Sequence, residues 1–458
     1  MADVTVAHAL AAEAYVYGYP LVYELTVAGA FVRKGIGPLP PTPFNTFAHA
    51  RKLADHHDSF VSVDNDTVHS VAQLDLSGGP LLLHVPDSGG AYYALQFVDA
   101  WTNNFAYVGT RATGTAEGRW LIAPPGWAGS EPEGVRGVVD APTAVVSVVG
   151  RWACDGPEDL PRVRALQDAL TIHAVDGAVH PTGLPTPEPG VPDALGFFEK
   201  LRVWLADFPP APADAAYQER FQPLGLLEEG PSPYASPDPA LAKALKDGFV
   251  QGRDRVGQAA RPSADAVPGE AVTGGTAPGE WQLDPHAHDY NLDHFGVGTH
   301  DSPQWKAADR EESYLLRAVA ARSALWGSHG YESVSAQVFT DSEGGRLNGS
   351  KAYTLRFEQP PPVESFWSMT MYDTPDHYLV ANPIGRYTIG DRTPGLVHAD
   401  DGSLTLHIQQ DRPDDPAEAA NWLPAPPGDF RPMARLYVPK APVLDGSYRL
   451  PPIELRRG

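Results

Sequence analysis

The sequence predicts a multidomain α+β protein, with a β-sandwich at each end, a helix leading into the first, and a helical insert between them. Three observations carry this. The chain has 458 residues, beyond the size of one ordinary core. It holds 44 glycines and 47 prolines, about a fifth of the chain against a usual ~12%, without collagen periodicity, which points to many turns and many short strands. Apolar residues recur with period two over 60–150 and again from 331 onward, and with the helical period in between.

The chain opens on "MADVTVAHALAAEAYVYGYPLVYEL". Tyr15, Tyr19 and Tyr23 fall at i, i+4 and i+8, one face of a helix, and Pro20 is expected to kink or divide it. The stretch lacks a basic leader and Glu13 interrupts it early, so it reads as an amphipathic first helix of a cytoplasmic protein and a poor signal peptide. "SFVSVDNDTVHSVAQLDLS", "GPLLLHVPD", "AYYALQFVDAWTNNFAYVG", "GRWLIAPP" and "TAVVSVVGRW" then read as strands of an antiparallel sandwich. These complete a first domain over 1–153.

The second region, 154–330, changes period. "DGPEDLPRVRALQDALTI" opens on helix-start signals and places Leu160, Val163, Leu166 and Leu170 on one stripe. "GFFEKLRVWLADF", "DPALAKALKDGFVQGRDRVGQAA" and "REESYLLRAVAARSALWGSHG" (310–330) are further helices, joined by a proline-rich loop (180–192) and by a Gly/Pro/His-rich stretch (262–305). From Tyr331 strands resume in "SAQVFTD", "AYTLRFE", "SFWSMTMYD", "SLTLHIQQD" and "PMARLYVPK", a second sandwich over 331–458.

The formal net charge is −23, which repels phosphate backbones and anionic membranes and argues against either as a partner. A single cysteine, Cys154, excludes internal disulfides and cysteine-built zinc sites. No run approaches the ~18 apolar residues of a membrane span. There is no glycine-rich strand–turn–helix for a nucleotide and no GxSxG nucleophile motif.

Three stretches carry chemistry. "DNDTVHS" (64–70) gathers Asp64, Asn65, Asp66, Thr67, His69 and Ser70. A carboxylate beside a histidine orients it as a general base. In an unbroken strand, however, Asp66 and His69 point to opposite faces, so they meet only if the strand bends or ends there. Local capping is the alternative reading. "FVDAWTNNFAYVGTR" (97–111) offers Asp99, Asn103 and Arg111 among aromatic walls, which suit a small polar ligand; alternatively Arg111 pairs with Asp66 or Asp99. In "FWSMTMYDTPDHYLVANPIGRY" (366–387), Trp367, Met369 and Met371 take the core face of a strand, and Phe366, Ser368, Thr370 and Tyr372 the other. Beyond it, Asn382, Arg386 and Tyr387 line an ordered loop. There Arg386 either clamps an anion or locks the loop onto Asp373. A fourth stretch, "DPHAHDYNLDHFGVGTHD" (284–301), holds His286, His288, His294 and His300 beside Asp289, Asp293 and Asp301, donors for a divalent metal whose spacing fits no established signature.

The first of these stretches, with "YYALQFVDAWTNNFAYVGTRATG" and "VVGRWACDGPEDLPRV", resembles the domain-of-unknown-function family numbered 1254. "LNGSKAYTLRF", "FWSMTMYD", "NPIGRYTIGD", "DGSLTLHIQ", "NWLPAPPGDF" and "RLYVPK" resemble the companion family numbered 1214. The resemblance implies an N-terminal β-sandwich, a helical insert and a C-terminal jelly-roll-like sandwich, assembled as a homo-oligomer. The family pattern has tyrosine where this chain has His69, and its frequent export signal is missing here.

The expected function is an enzyme acting on a small polar or amphipathic metabolite by acid–base chemistry of the lyase, isomerase or hydrolase kind, without an organic cofactor. His69 is its base or acid, Asp66 orients it, and Arg111 holds an anionic or carbonyl group; Asn65, Thr67, Asp99, Asn103, Tyr372, Asn382, Arg386 and Tyr387 bind substrate. Two alternatives stand beside it: a non-catalytic small-molecule or carbohydrate-binding protein, and a metal enzyme using the 286–300 loop.

Overall fold

A computed structural model describes residues 4–175, 181–260 and 277–457. The parts of the expected loops that fall on 180 and 262–276 lie outside the described residues.

The first helix, α1, runs unbroken from Val4 to Lys34 with Pro20 inside it, so proline does not divide it. It is buried along most of its length (Ala11, Ala14, Tyr17, Leu21, Leu25 and Ala28 among others), and packing against neighbouring helices offsets the backbone hydrogen bond that an interior proline removes. Tyr15, Tyr19 and Tyr23 form a ladder of ring contacts at 5.5 and 5.4 Å. A later helix, Pro239–Ala259, crosses α1 at Gly248 and Gly252, where a Cβ would come within 2.4 Å of Ala11 and 2.7 Å of Tyr15.

Nine strands build the first sandwich: β1 (Phe47–His49), β2 (Thr67–Asp75), β3 (Leu81–Val85), β4 (Tyr93–Asp99), β5 (Asn104–Gly109), β6 (Gly118–Ala123), β7 (Gly137–Asp140), β8 (Val145–Ala153) and β9 (Thr171–Ala174). They form one sheet of order β1-β2-β8-β4-β5 and another of order β7-β6-β3-β9. Leu74, Leu95, Phe97 and Val148 of the first meet Leu83, Trp120, Ile122 and Val139 of the second in one core. Strand β2 begins at Thr67 and not near residue 60, because Asn65 and Asp66 lie in a bend.

The helical insert supplies Leu160–Ala169, Gly196–Asp207, Pro239–Ala259 and Arg310–Ala324. Two of these end earlier than the periodicity predicts. Thr171–Ala174 leaves the helical stripe to pair with β3 as β9, and the last helix stops before Leu325, with Trp326 in the left-handed region at φ 63°.

The second sandwich comprises β10 (Gln282–Leu283), β11 (Ser333–Gln337), β12 (Tyr353–Phe357), β13 (Trp367–Asp373), β14 (Thr388–Gly390), β15 (Leu404–Gln409), β16 (Trp422–Pro424), β17 (Phe430–Tyr437) and β18 (Glu454–Leu455). Its sheets run β10-β11-β17-β13-β14 and β16-β15-β12-β18. Trp367, Met369 and Met371 of β13 face Leu355, Phe357, Leu404 and Leu406 in its core, as the alternation of 366–372 predicts. One close approach fixes a corner: a Cβ on Gly349 would lie 1.7 Å from the carbonyl oxygen of Pro426. Gly349→Ala is therefore expected to lower stability by about 1–3 kcal/mol or more, read as a shift in the urea midpoint; an unchanged midpoint would show that this corner yields freely.

Candidate functional site

The two sandwiches meet through a small apolar cluster of Tyr92, Ala94 and Ala153 with Phe366, Tyr437 and Val438, and beside it through polar faces. On β13, Ser368, Thr370 and Tyr372 point away from the core, and on β17 the alternate residues Arg431, Arg435 and Tyr437 stand beside them. Register places Ser368 opposite Arg435 and Tyr372 opposite Arg431. Residues 62–66 of the first sandwich lie on this patch. Ser62, at φ 54°, turns the chain so that its carbonyl accepts from Arg435 Nη2 at 2.7 Å and the Val63 carbonyl from the Tyr372 hydroxyl at 2.6 Å. Asp66 accepts from Ser368 and from Tyr437, the latter at 2.8 Å, while its backbone carbonyl accepts from Arg392 at 3.1 Å.

The bend also settles which carboxylate serves His69. Asp64, not Asp66, is in ion-pair range: its Oδ1 stands 3.4 Å from His69 Nε2, and its other oxygen accepts from the Thr67 hydroxyl. Asp66 is turned toward the second sandwich. The side chain of His69 remains 26% exposed and, among the described residues, makes no hydrogen bond. A proton on Nε2 faces Asp64 and leaves Nδ1 as a free acceptor.

The charges are arranged to differ. Burial opposes ionisation of Asp64, but His69, Arg435 and the Thr67 hydroxyl outweigh it and hold its carboxyl below the ordinary range. Burial, reinforced by the Asp64 charge, pushes Asp66 up. Burial lowers His69 against the pull of Asp64, so its imidazole is neutral near pH 7. Arg435 is buried, yet Tyr372, Asp66 and Asp64 keep it charged.

His69 is cross-strand partner to Arg151 on β8, which in turn faces Ala94 on β4. Arg151 donates to Gln96 at 3.0 Å and to the Trp326 carbonyl at 3.3 Å. His69, Arg151 and Gln96 thus form a polar strip on the sheet face opposite the sandwich core.

The remaining candidates are dispersed. Arg111 pairs with neither Asp66 nor Asp99; it donates to Glu332 at 2.6 Å and to the Gly298 carbonyl, lies 3.3 Å from His300 Nε2, and stacks over Tyr331. Glu332 also accepts from Tyr92 at 2.9 Å, so Arg111 belongs to a structural network. Asn65 donates to the Ala54 carbonyl. Asn382 closes its loop on Arg386 N and O, and Arg386 donates to the carbonyls of Ala420 and Trp422 at 3.0 and 2.8 Å, not to Asp373. The Tyr387 hydroxyl meets His56 Nδ1 at 2.6 Å. Asp99 and Asn103 line a separate cavity with His294.

The four loop histidines go to different partners: His286 to Asp289 and the Leu444 carbonyl, His288 to the Ala324 carbonyl, His300 to Arg111, and His294 to the cavity beside Asp99. Among the described residues, the donors that converge within 4.8 Å belong to Asp55, His56 and His57. Lys52 and His57 engage Asp55 there, and Tyr387 engages His56. No described helix is long and apolar enough to cross a membrane.

Sequence reasoning singled out neither Arg151 nor Arg435. Both sit within otherwise apolar alternating strands, "VVGRWA" and "MARLYV", and a charge at such a position is itself a signal that needs a buried partner.

Fold and site together define a mixed α+β protein of two sandwiches joined by a helical insert, with a charged seam between them. Residues 44–174 match the family described as Protein of unknown function (DUF1254), and residues 332–441 the family described as Protein of unknown function (DUF1214); the chain carries both. The crystal structure of the VPA0106 protein from Vibrio parahaemolyticus has the same fold, at a TM-score of 0.74 and 23% identity over 98% of this chain and 100% of that one. A putative uncharacterized protein from Burkholderia cenocepacia aligns at a TM-score of 0.44 and 9% identity, over 100% of this chain and 96% of that one. No curated protein is similar enough to this chain to match.

Proposed function

We propose that the protein is an enzyme that moves a proton on a small polar or amphipathic metabolite, with His69 as general base and later acid. One observation carries this reading: His69 has a carboxylate behind Nε2 and, among the described residues, nothing bonded to Nδ1, in a partly open position on a polar strip. Neutral imidazole there accepts a proton at Nδ1, and the resulting cation is stabilised by Asp64, 3.4 Å away. Arg151, next to it across the ladder, is placed to hold the substrate's carbonyl or carboxylate. This chemistry requires no organic cofactor.

The test begins with a metabolite extract incubated with the purified protein, to find compounds it consumes. On any such substrate His69→Ala is expected to lower kcat by about 10²–10⁴, and Asp64→Asn by less, with the fold unchanged by circular dichroism. Activity is expected to fall on the acid side only below the ordinary histidine value of about 6.5, because burial lowers the pKa of His69. Unimpaired turnover by His69→Ala would sink the assignment.

A further inference from the structure

Toward the far end of β4, three residues beyond Gln96 and roughly 10 Å at ~3.4 Å per residue, lies a cavity of about 100 Å³. Its polar lining includes Asp99, Asn103, His294, Arg317, Asp214 and Asp293, and Thr143, whose hydroxyl is taken up by the backbone of Ala100 and Val145. Four prolines, Pro142, Pro209, Pro210 and Pro212, form its lip with Ala211. Their fixed φ makes that lip stiff before anything binds.

Two polar groups in this wall lack partners among the described residues. Arg317, on the helix Arg310–Ala324, is 4% exposed and, among the described residues, makes no hydrogen bond or ion pair; its Nε is buried without an acceptor. Its guanidinium carbon lies 5.8 Å from the centre of the Tyr290 ring. Asn103 donates its amide to Asp99 at 2.8 Å, which fixes its orientation and leaves Oδ1 buried with no donor. The other charges are engaged. Asp214 and Asp293 are both bonded by Arg310, and Asp99 accepts from the amides of Trp101 and Asn103 at 2.9 and 2.8 Å as well as from the Asn103 side chain.

The cavity therefore offers one free guanidinium and, beside it, one free carbonyl acceptor. We propose that it binds a small monocarboxylate bearing a neighbouring hydroxyl or amino group, such as a short hydroxy acid or amino acid, with the carboxylate on Arg317 and the donor on Asn103 Oδ1. A bidentate carboxylate matches the guanidinium fork. A dianion such as phosphate is disfavoured, because Asp99, Asp214 and Asp293 surround the single free cation. The site shares no residue with the His69 strip, and the proposal does not rest on the reaction assigned there.

Calorimetric titration of the full chain with L-lactate, propionate and lactamide tests it. Lactate is expected to bind saturably, propionate about tenfold more weakly for want of the hydrogen bond to Asn103, and lactamide not at all. Asn103→Ala is expected to remove the preference for lactate over propionate, and Arg317→Gln to abolish binding of both. Ala211→Trp closes the lip without touching a polar group and is expected to abolish binding too, which keeps the test decisive should Arg317→Gln fail to fold. The proposal is overturned if none of the acids binds the wild-type chain, in which case the cavity holds only water. It is equally overturned if Ala211→Trp binds lactate as tightly as the wild type.

Discussion

Replacing Arg435 by methionine is expected to lower stability by about 3–5 kcal/mol, the usual loss when one partner of a buried charge cluster is removed. Methionine roughly preserves the volume, so the effect is electrostatic. Asp64 and Asp66 are both buried, as is Arg435, the cation that offsets them. Its removal also leaves the Ser62 carbonyl, the Thr370 hydroxyl and the Tyr372 oxygen without the donor they now share. Urea unfolding near pH 7 measures the loss. Adding Asp66→Asn to Arg435→Met is expected to recover about 1 kcal/mol or more, since the burden is then one uncompensated carboxylate and not two. A loss below about 1 kcal/mol for Arg435→Met would show that water reaches these carboxylates.

The second large effect concerns Glu24, in the middle of α1. It is 1% exposed, accepts from Ser147 and from the Trp326 indole at 3.0 Å, and, among the described residues, pairs with no cation. Burial pushes its carboxyl up to about 7 from an ordinary 4.5. Between these values the folded protein keeps a proton that the unfolded chain has released. Stability from this group is thus full below about pH 4.5, falls as pH rises to about 7, and is level above. The span amounts to about 3 kcal/mol, at ~1.4 kcal/mol per pH unit. Glu24→Gln mimics the protonated form, so it is expected to be about 3 kcal/mol more stable than wild type at pH 8 and indistinguishable from it at pH 4.5. Buried histidines such as His329, lowered to about 3, impose an opposite slope on both proteins and cancel in the difference. Parallel stability–pH curves for the two would refute the assignment.

What could be read from the sequence divides by range. The strand from Trp367 to Asp373 was legible to its individual faces, because the alternation of core and polar residues is written in seven consecutive positions. The helices were legible except at their ends, where β9 is decided by pairing with β3 rather than by local period. The site was legible only as an ingredient list. That Asp64 and not Asp66 meets His69 depends on the bend at 65–66, and residues 62–66 are held there by Arg435, Tyr372 and Tyr437, over 300 residues away. The dispersal of Arg111 and Arg386 has the same cause. Each ends on a group from a distant segment, Glu332 or the Ala420 carbonyl, and no spacing rule contains those contacts.

The seam has a consequence for how the molecule comes apart. Each sandwich has its own apolar core, and on that ground alone the two could melt separately. But Asp66, buried by the first sandwich, is satisfied by Ser368 and Tyr437 of the second, and Arg435 of the second offsets its charge and that of Asp64. Loss of either leaves the other holding orphaned charges. The two halves should consequently unfold in one step, and a chain divided in the helical insert should yield neither half as a stable fragment. The stretches 44–174 and 332–441 are separate in sequence, but thermodynamically each is the other's solvent.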